Sequence, residues 1–472
     1  MRRILLPFAI LISSLFVFAS CLDDDNKIEF ADDSAITSFT LGTMPRAIHT
    51  ISKKGLDSVY YRNLDCSSYK FYIDQTKNEI YNTDSLPYGI NNKKILCSVN
   101  SKNYGAVGIK SMTSDTLSFF SSADSIDFSQ PRDFYVYSSS GMNYRKYTVS
   151  VNVHKEEADS FRWNRMATVS ELADLRGMRA VSNAGNLFVL GTDGDKTLIY
   201  RSSDGLSWTD ITSGTGGALT AGAFNNVVTK GGYIYLYDNG QVLRTDNGTS
   251  WTITGRLQLT RLVAASRNRL YAYDASGAMV ESDDEGASWT PSPIDDEQTL
   301  LPTVDVSYVC LPLQTNSNAD RVVLIGNRNP AAYPHDTTPQ TWSRIDLVSE
   351  NGETQPWMYY DVASDNNKKA PHVMNMQTVV YDGCILAVGG NGIGGDTHRA
   401  FDGIYHSVDG GITWQKNVLI SLPAGFSAQA DSYAIATDSD NFLWIICGHS
   451  GNVWRGRINR LGWTENKDVF IE

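Results

Sequence analysis

The sequence lacks the residue spacings of common metal and redox sites. Its 6 cysteines form no Cys-x-x-Cys pair, and its 7 histidines form no His-x-His or His-Glu-x-x-His pattern. These absences argue against a zinc ribbon, a thioredoxin-type site and a zincin-type centre. We therefore expect neither a metal site nor a cofactor.

Charge is also scarce, because Asp, Glu, Lys and Arg make up only 19% of the 472 residues. Carboxylates outnumber Lys and Arg by 52 to 40, which gives a net charge of −12. Binding of nucleic acid requires clustered basic side chains, so we expect no nucleic-acid partner. Long runs of helix-forming residues are absent too, whereas glycine (38 residues) and aromatic residues (11%) are plentiful. This balance favours an all-β protein.

The N-terminus carries a long apolar run at residues 4–18, which follows Arg2 and Arg3 and precedes Ala19, Ser20 and Cys21. A charged start, an apolar stretch and small residues form the order of a secretory signal. The run is shorter than the ~20 residues that a membrane-spanning helix needs. Residues 1–20 are therefore predicted to be a signal peptide.

The segment Phe18-Ala19-Ser20-Cys21 resembles a bacterial lipobox, whose cysteine is diacylated and becomes the mature N-terminus. The aspartates at 23–25 resemble the acidic export signal of Bacteroidota surface lipoproteins, although a solvated linker is the other interpretation. The resemblance implies lipidation at Cys21, an acidic tether over residues 21–35, and a lipid membrane as a partner. It places the protein at the outer membrane of a Gram-negative bacterium, on the cell surface.

Residues 36–155 alternate short apolar runs with turn residues, as in Tyr147, Val149, Val151 and Val153. This pattern predicts a small antiparallel β-sandwich, and the segment 124–153 resembles the closing strands of immunoglobulin-like modules. We interpret the domain as a spacer. Its two cysteines, Cys66 and Cys97, could pair in an oxidising envelope, and this stays open. The remaining cysteines lie in apolar runs and are predicted to be small buried hydrophobes: Cys310, Cys384 and Cys447.

Four segments after residue 161 share a turn motif that ends in tryptophan: SSDGLSW, TDNGTSW, SDDEGASW and SVDGGITW. They resemble the Asp-box (BNR) hairpin of β-propellers with a sialidase-like fold. In this motif the Asp accepts turn hydrogen bonds, the Gly supplies a positive φ, and the Trp fills the gap between sheets. The residues to which the resemblance assigns these structural roles are Asp204, Trp208, Asp246, Trp251, Asp284, Trp289, Asp409 and Trp414.

A strand-like run precedes each box and recurs even where the box has decayed. These runs begin at 186, 233, 269, 321, 384 and 442, and degenerate boxes end at Trp357 and Trp463. Six copies at an interval of about 50 residues predict one four-stranded blade each. Residues 161–472 are therefore predicted to form a six-bladed propeller. Five or seven blades stay open if one blade is split between the two ends of the domain.

No catalytic residue is nominated, because the nearest text to the sialidase Arg-Ile-Pro element, Phe161-Arg162-Trp163-Asn164, lacks Ile-Pro. Propellers usually bind ligands in the central funnel, so polar residues near the starts of the innermost strands are candidate ligand-binding groups. Capping of the backbone is the other interpretation of these residues. The insertion at 327–342 is a candidate recognition loop. The funnel candidates are Arg179, Asn225, Arg261, Asp305, Asn375, Gln377 and Asp431.

Taken together, these features resemble uncharacterised Bacteroides-type envelope lipoproteins with an Ig-like sandwich and an Asp-box propeller. The leading hypothesis is a non-enzymatic lipoprotein whose propeller binds a glycan or an envelope protein. One alternative is a propeller glycoside hydrolase or lyase, and another is a scaffold or assembly factor. Two carboxylates within ~5–10 Å would favour hydrolysis, whereas aromatic platforms and amides would favour binding.

Overall fold

The computed structural model describes residues 30–51, 57–347, 355–362, 366–393, 403–426 and 432–463. The chain divides between Glu157 and Ala158 into two units, each with its own core. The predicted signal peptide and Cys21 lie outside the described residues. None of the helices in the described ranges has the length and apolar character needed to cross a bilayer.

In its described residues the N-terminal unit is built from strands and one 3-10 turn at Lys102–Tyr104. Its strands are β1 (Ile36–Leu41), β2 (Thr43–Ile51), β3 (Asp57–Asp65), β4 (Phe71–Asp74), β5 (Glu79–Asn82), β6 (Cys97–Ser101), β7 (Val107–Lys110), β8 (Leu117–Phe119), β9 (Arg132–Tyr137) and β10 (Tyr144–Ser150). Within the described residues they form a six-stranded sheet, in the order β4-β5-β10-β9-β7-β8, and two pairs, β1-β6 and β2-β3.

The core of this unit follows from the period-2 alternation of its sequence. Phe134 and Val136 of β9, and Tyr147 and Val149 of β10, are fully buried. Since successive side chains of a strand point to opposite faces, these residues lie on one side of the sheet. There Phe134 packs with Phe39 and other aromatic rings at centroid distances near 6 Å. The β-strand predicted for residues 147–153 is thus present, although β10 ends at Ser150.

The two cysteines of this unit, Cys66 and Cys97, are both buried and both free thiols. The disulfide that the sequence left open is therefore not formed in this structure. Burial in the apolar core raises the pKa of Cys97 to about 12, so this thiol stays protonated and unreactive at neutral pH.

The C-terminal unit is also β-rich, with one short helix, α1 (Ser170–Ala173), and 3-10 turns at Thr212–Thr215, Ala223–Asn225, Gln298–Leu300 and Asn459–Gly462. Its strands are β11 (Phe161–Thr168), β12 (Gly177–Asn183), β13 (Asn186–Thr192), β14 (Lys196–Ser202), β15 (Thr209–Asp210), β16 (Leu219–Thr220), β17 (Val227–Lys230), β18 (Tyr233–Asp238), β19 (Gln241–Thr245), β20 (Thr252–Arg256), β21 (Leu259–Ala265), β22 (Leu270–Asp274), β23 (Met279–Ser282), β24 (Thr290–Pro291), β25 (Val304–Leu313), β26 (Asn316–Asn327), β27 (Gln340–Leu347), β28 (Met358–Tyr359), β29 (Gln377–Tyr381), β30 (Cys384–Val388), β31 (Tyr405–Ser407), β32 (Gln415–Lys416), β33 (Tyr433–Thr437), β34 (Leu443–Cys447) and β35 (Asn452–Ile458).

The strands of this unit pair into six antiparallel sheets within the described residues. Five are consecutive along the chain and begin with β12, β17, β21, β25 and β29, and the sixth is β11-β35-β34-β33. The first strands contact one another in the cyclic order β12, β17, β21, β25, β29, β33 and back to β12. The repeated runs of the sequence form the second strand of each sheet. These strands are almost wholly buried because neighbouring sheets cover both of their faces.

The sixth sheet closes the ring with strands from both ends of the unit. Phe161 pairs with Ile458 and Thr168 with Asn452, so the first strand of the unit is the outermost strand of the last sheet. The degenerate box predicted to end at Trp463 is therefore not a hairpin. The chain there makes the 3-10 turn Asn459–Gly462, because β11 already occupies the fourth position.

Candidate functional site

Six of the seven funnel candidates are described, and Asp431 lies outside the described residues. Each of the six lies within two residues of the start of a first strand, so the repeat brings them to one end of the central channel. A narrow cavity of about 80 Å³ inside this channel is lined by four of them: Arg179, Asn225, Arg261 and Gln377.

Two of the candidates, Gln377 and Asn375, make hydrogen bonds to other residues of the channel wall. Gln377 is 3% exposed, and its amide nitrogen donates hydrogen bonds to the carbonyls of Met178 (3.2 Å) and Tyr433 (2.6 Å). It thereby joins three neighbouring first strands, β12, β29 and β33. Asn375 accepts a 3.1 Å hydrogen bond from Arg179 through Oδ1. These contacts match the backbone-capping interpretation for Gln377 and make Asn375 a positioning group for Arg179.

Asp305 and Asn375 both have left-handed backbones, with φ of 51° and 50°. Such conformations are uncommon for residues other than glycine and cluster at binding sites. The Asp305 carboxylate accepts a 3.2 Å hydrogen bond from the Asn327 amide, which holds it at the channel end.

Arg261 is a partly buried arginine beside Arg179, and its Nε atom is fully buried. Burial, together with the positive charge of Arg179, lowers the pKa of Arg261 to about 10, while Asp305 opposes the shift. Burial likewise lowers the pKa of Arg179. Because arginine side chains keep their proton in proteins, the channel end holds two positive charges and the Asp305 carboxylate.

A larger cleft of about 740 Å³ opens beside the channel and shares Arg261 and Asn225 with it. Its wall is made by the turns between second and third strands and by the segments that lead into β17, β21 and β25. Most of the polar groups in this wall are amides and hydroxyls. They include Asn225, Asn226, Asn239, Gln258, Gln298, Thr260, Ser276 and Thr299.

The insertion at 327–342 adds an ordered aromatic platform to the cleft. Arg328 pairs with both carboxylate oxygens of Asp336, at 2.9 and 2.6 Å, and lies 3.8 Å from the centroid of the Tyr333 ring. Asn329 receives backbone hydrogen bonds from Ala332 and Tyr333, which shape the turn. Arg328 and Tyr333 both line the cleft, so the segment singled out in the sequence contributes to it.

Asp238 is the one carboxylate among the described residues that line the cleft. It is buried and accepts hydrogen bonds from the backbone nitrogen of Thr220 (3.0 Å) and from its hydroxyl. No group of three His, Cys, Asp or Glu side chains that could hold a metal ion occurs in the described ranges. The sequence did not single out Asp238, Asn239 or Gln258, since none of them lies on a first strand. For Asp238 and Asn239 the available signal was their place at the end of the repeated run that begins at residue 233.

Two family models match the chain almost end to end. Residues 157–466 match the DUF6242 beta propeller domain. Residues 39–151 match the N-terminal domain of the same family, a domain of unknown function. The chain belongs to the DUF6242 family. Its C-terminal unit is accordingly a β-propeller domain, and the boundary between the two matches agrees with the division after Glu157.

Solved structures similar to this DUF6242 chain have varied functions. A protein of unknown function from Bacteroides thetaiotaomicron is 11% identical, with a TM-score of 0.39, and the match covers 92% of this chain and 99% of that one. A structure described as YCF48 bound to D1 peptide is 14% identical, with a TM-score of 0.35, covering 64% and 96%. A carbohydrate-active enzyme of family AA12 from Trichoderma reesei is 12% identical, with a TM-score of 0.35, covering 64% and 96%. No protein of curated function matches the sequence.

The tryptophan motifs of this DUF6242 propeller form tight turns between the third and fourth strands of four sheets. In the turn at Asp284, the carboxylate accepts hydrogen bonds from the Ser282 hydroxyl (2.8 Å) and from the Ser288 backbone (2.9 Å). Gly286 has a φ of 92°, and a Cβ there would lie 2.9 Å from Val242 of the preceding sheet. Glycine is therefore required both by its conformation and by the close approach of the neighbouring sheet. Asp204 and Asp409 make equivalent turn contacts.

The second motif needs a correction, because its side-chain acceptor is Asn247 rather than the predicted Asp246. Asn247 Oδ1 receives the Thr249 backbone hydrogen bond at 2.8 Å, and Thr245 takes the place of the leading serine. The motif is one residue shorter than its two full-length counterparts, so counting back from Trp251 on their spacing selects the wrong neighbour. All four motif tryptophans donate to the carbonyl of the turn glycine: Trp208, Trp251, Trp289 and Trp414.

We expect the turn at Asp284 to make propeller stability depend on acid pH. Hydrogen bonds from Ser288 lower the pKa of Asp284 to about 2. Because the folded pKa lies below the unfolded value, this contribution is present above pH ~4 and is lost as the pH falls towards 2. In Asp284→Asn the slope of unfolding free energy against pH should be smaller in this window, as measured by urea unfolding. Asp246→Asn, which removes a carboxylate without a turn contact, is the matched control; an equal slope in wild type and Asp284→Asn would contradict the assignment.

Proposed function

We propose that this protein is a lipid-anchored envelope protein whose propeller domain binds a glycan in the cleft beside Arg261. The glycan is bound without being cleaved or chemically changed. The observation that carries this proposal is the lining of the cleft. Amides and hydroxyls of the kind that bind sugar hydroxyls surround a tyrosine platform, and the volume of about 740 Å³ suits a short oligosaccharide.

The chemistry of the cleft supports binding over hydrolysis. Glycoside hydrolases generally use two carboxyl groups flanking the scissile bond. The described cleft wall offers Asp238, whose oxygens already accept hydrogen bonds from Thr220. Arg328 covers one face of the Tyr333 ring and holds the ring in place, so we infer that the opposite face stacks on a sugar at little cost in conformational entropy.

The blades, the N-terminal unit and the lipid anchor have roles of their own in this function. We infer six blades from the six sheets in a closed ring, with β11 and β35 joining the ends of the domain. The N-terminal unit acts as an immunoglobulin-like spacer, and Cys21 carries the lipid that holds the protein at the outer membrane of a Gram-negative bacterium, facing the cell surface. The lipobox resemblance supports this location.

Glycan-array binding with the full-length chain in detergent tests the cleft. We expect Tyr333→Ala to weaken glycan binding about tenfold, because it removes a stacking face from the ligand. Tyr333→Phe keeps the ring and should bind like the wild type. Unchanged glycan binding by Tyr333→Ala would show that this cleft is not the glycan-binding site.

A hydrolysis assay on the same glycans separates the two leading functions. Binding without product release supports the proposal. Product release that disappears in Asp238→Asn would establish the glycoside-hydrolase alternative instead. Failure of every glycan to bind, together with a protein that co-purifies from the envelope, would favour the scaffold alternative.

A further inference from the structure

Two arginines lie where the cleft meets the central channel. Arg179 is the third residue of β12, and Arg261 is the third residue of β21. Both line the channel cavity, and Arg261 also lines the cleft. We call Arg179 and Arg261 the channel arginine pair.

Most hydrogen-bond donors of the Arg261 side chain have no acceptor among the described residues of the protein. A guanidinium group has five N–H donors. Among the described residues Arg261 makes one hydrogen bond, from Nη1 to the Thr303 carbonyl at 3.4 Å, and its Nε is buried without a partner. Arg179 donates to the Met178 carbonyl at 3.3 Å and to Asn375 at 3.1 Å. Within the described ranges neither arginine has a carboxylate within 4.0 Å.

Three other shielded arginines of the same domain each have an ion-pair partner. Arg344 pairs with Glu281, Arg269 pairs with Asp346, and Arg328 pairs with Asp336. Burying a charge without a partner is unfavourable, so proteins usually supply an ion pair. The negative charge of Asp305 acts on both arginines and opposes the lowering of their pKa values, and its carboxylate accepts a hydrogen bond from Asn327. The two arginines carry two positive charges and Asp305 carries one negative charge. One further anion would therefore neutralise this end of the channel.

We propose that the glycan bound in the cleft is acidic and that one of its carboxylates binds Arg261, with Arg179 behind it. This inference rests on the proposed function. A guanidinium fork matches the two oxygens of a carboxylate, which would accept the unused Nη donors. The uncharged amides around Arg261 would bind the hydroxyls of the same sugar. The net charge of −12 does not prevent this, since fields are screened beyond ~8 Å at physiological salt.

The test pairs uronic-acid oligosaccharides with their carboxyl-reduced, neutral forms. Each pair is titrated into the full-length protein by calorimetry. We expect the wild type to bind an acidic form at least tenfold more tightly than its neutral form. Arg261→Gln should abolish that difference, and Arg261→Lys should keep only part of it because it retains the charge without the fork. Tyr333→Ala should weaken both forms alike, and the exposed Arg256→Gln should change neither.

A second measurement distinguishes a binding arginine from a structural one. Since Arg261 has no ion-pair partner in the described structure, Arg261→Gln should unfold at the same temperature as the wild type or higher. A lower unfolding temperature would assign Arg261 a structural role and overturn the inference.

The outcomes separate this inference from the function on which it depends. Equal binding of acidic and neutral forms would overturn the carboxylate assignment and leave glycan binding in place. Binding to no glycan would overturn both, and binding of an acidic peptide alone would do the same. Retention of the acid preference in Arg261→Gln would also overturn the assignment.

Discussion

Replacing Arg344 by alanine should lower the free energy of unfolding of the propeller domain by about 3–5 kcal/mol. The Arg344 side chain is 1% exposed and lies on β27. It donates hydrogen bonds to Glu281 of β23 and to Ser292, so it joins two neighbouring sheets. Without it, Glu281 would be a buried carboxylate with only Arg269, 3.4 Å away, to compensate it.

Urea unfolding followed by tryptophan fluorescence measures this loss. All 10 tryptophans lie between residues 163 and 463, so the signal reports on the C-terminal unit. The double variant Arg344→Met with Glu281→Leu removes both charges and should lose less stability than Arg344→Ala. The exposed Arg256→Ala should stay within about 0.5 kcal/mol of the wild type. A loss for Arg344→Ala as small as that of Arg256→Ala would show that the ion pair does not hold the sheets together.

Truncation of Trp414 should also cost about 3–5 kcal/mol, because this side chain is 3% exposed and belongs to the largest core cluster. Its indole nitrogen donates a 3.0 Å hydrogen bond to the Gly411 carbonyl, which would lose its partner. Trp208 occupies the same position of its own turn but is only half-buried. We therefore expect Trp208→Ala to cost clearly less than Trp414→Ala.

The same unfolding assay, with the other tryptophans as the probe, compares these variants. Trp414→Phe keeps an aromatic ring in the core and should recover a large part of the loss. Equal losses at Trp208 and Trp414 would show that the turn motif, rather than the degree of burial, sets the contribution of these tryptophans.

Local patterns in the sequence were sufficient to predict the β-structure and the repeats. The runs beginning at residues 186, 233 and 384 were expected to be strands, and β13, β18 and β30 begin at those residues. A strand buried on both faces needs a continuous apolar run, which is visible without any tertiary information. The tryptophan turns are local for the same reason, since each is stabilised by hydrogen bonds within a few residues. The acceptor in the second motif was wrongly predicted as Asp246, because this motif is one residue shorter than the full-length motifs and its acceptor is Asn247.

The sequence by itself determined the all-β character, the division near residue 157 and the family to which the chain belongs. It also identified Arg179, Arg261 and Gln377 as candidate ligand-binding residues near the starts of first strands. Only the tertiary structure distinguished them: the Gln377 amide bonds to neighbouring backbone carbonyls, whereas the Arg261 guanidinium keeps unused donors beside a cleft. It also closed the ring through β11 and β35, which are almost 300 residues apart in the chain. The physical reason is that a repeat dictates which residues occupy equivalent positions, while hydrogen-bond partners and burial depend on groups from distant sheets.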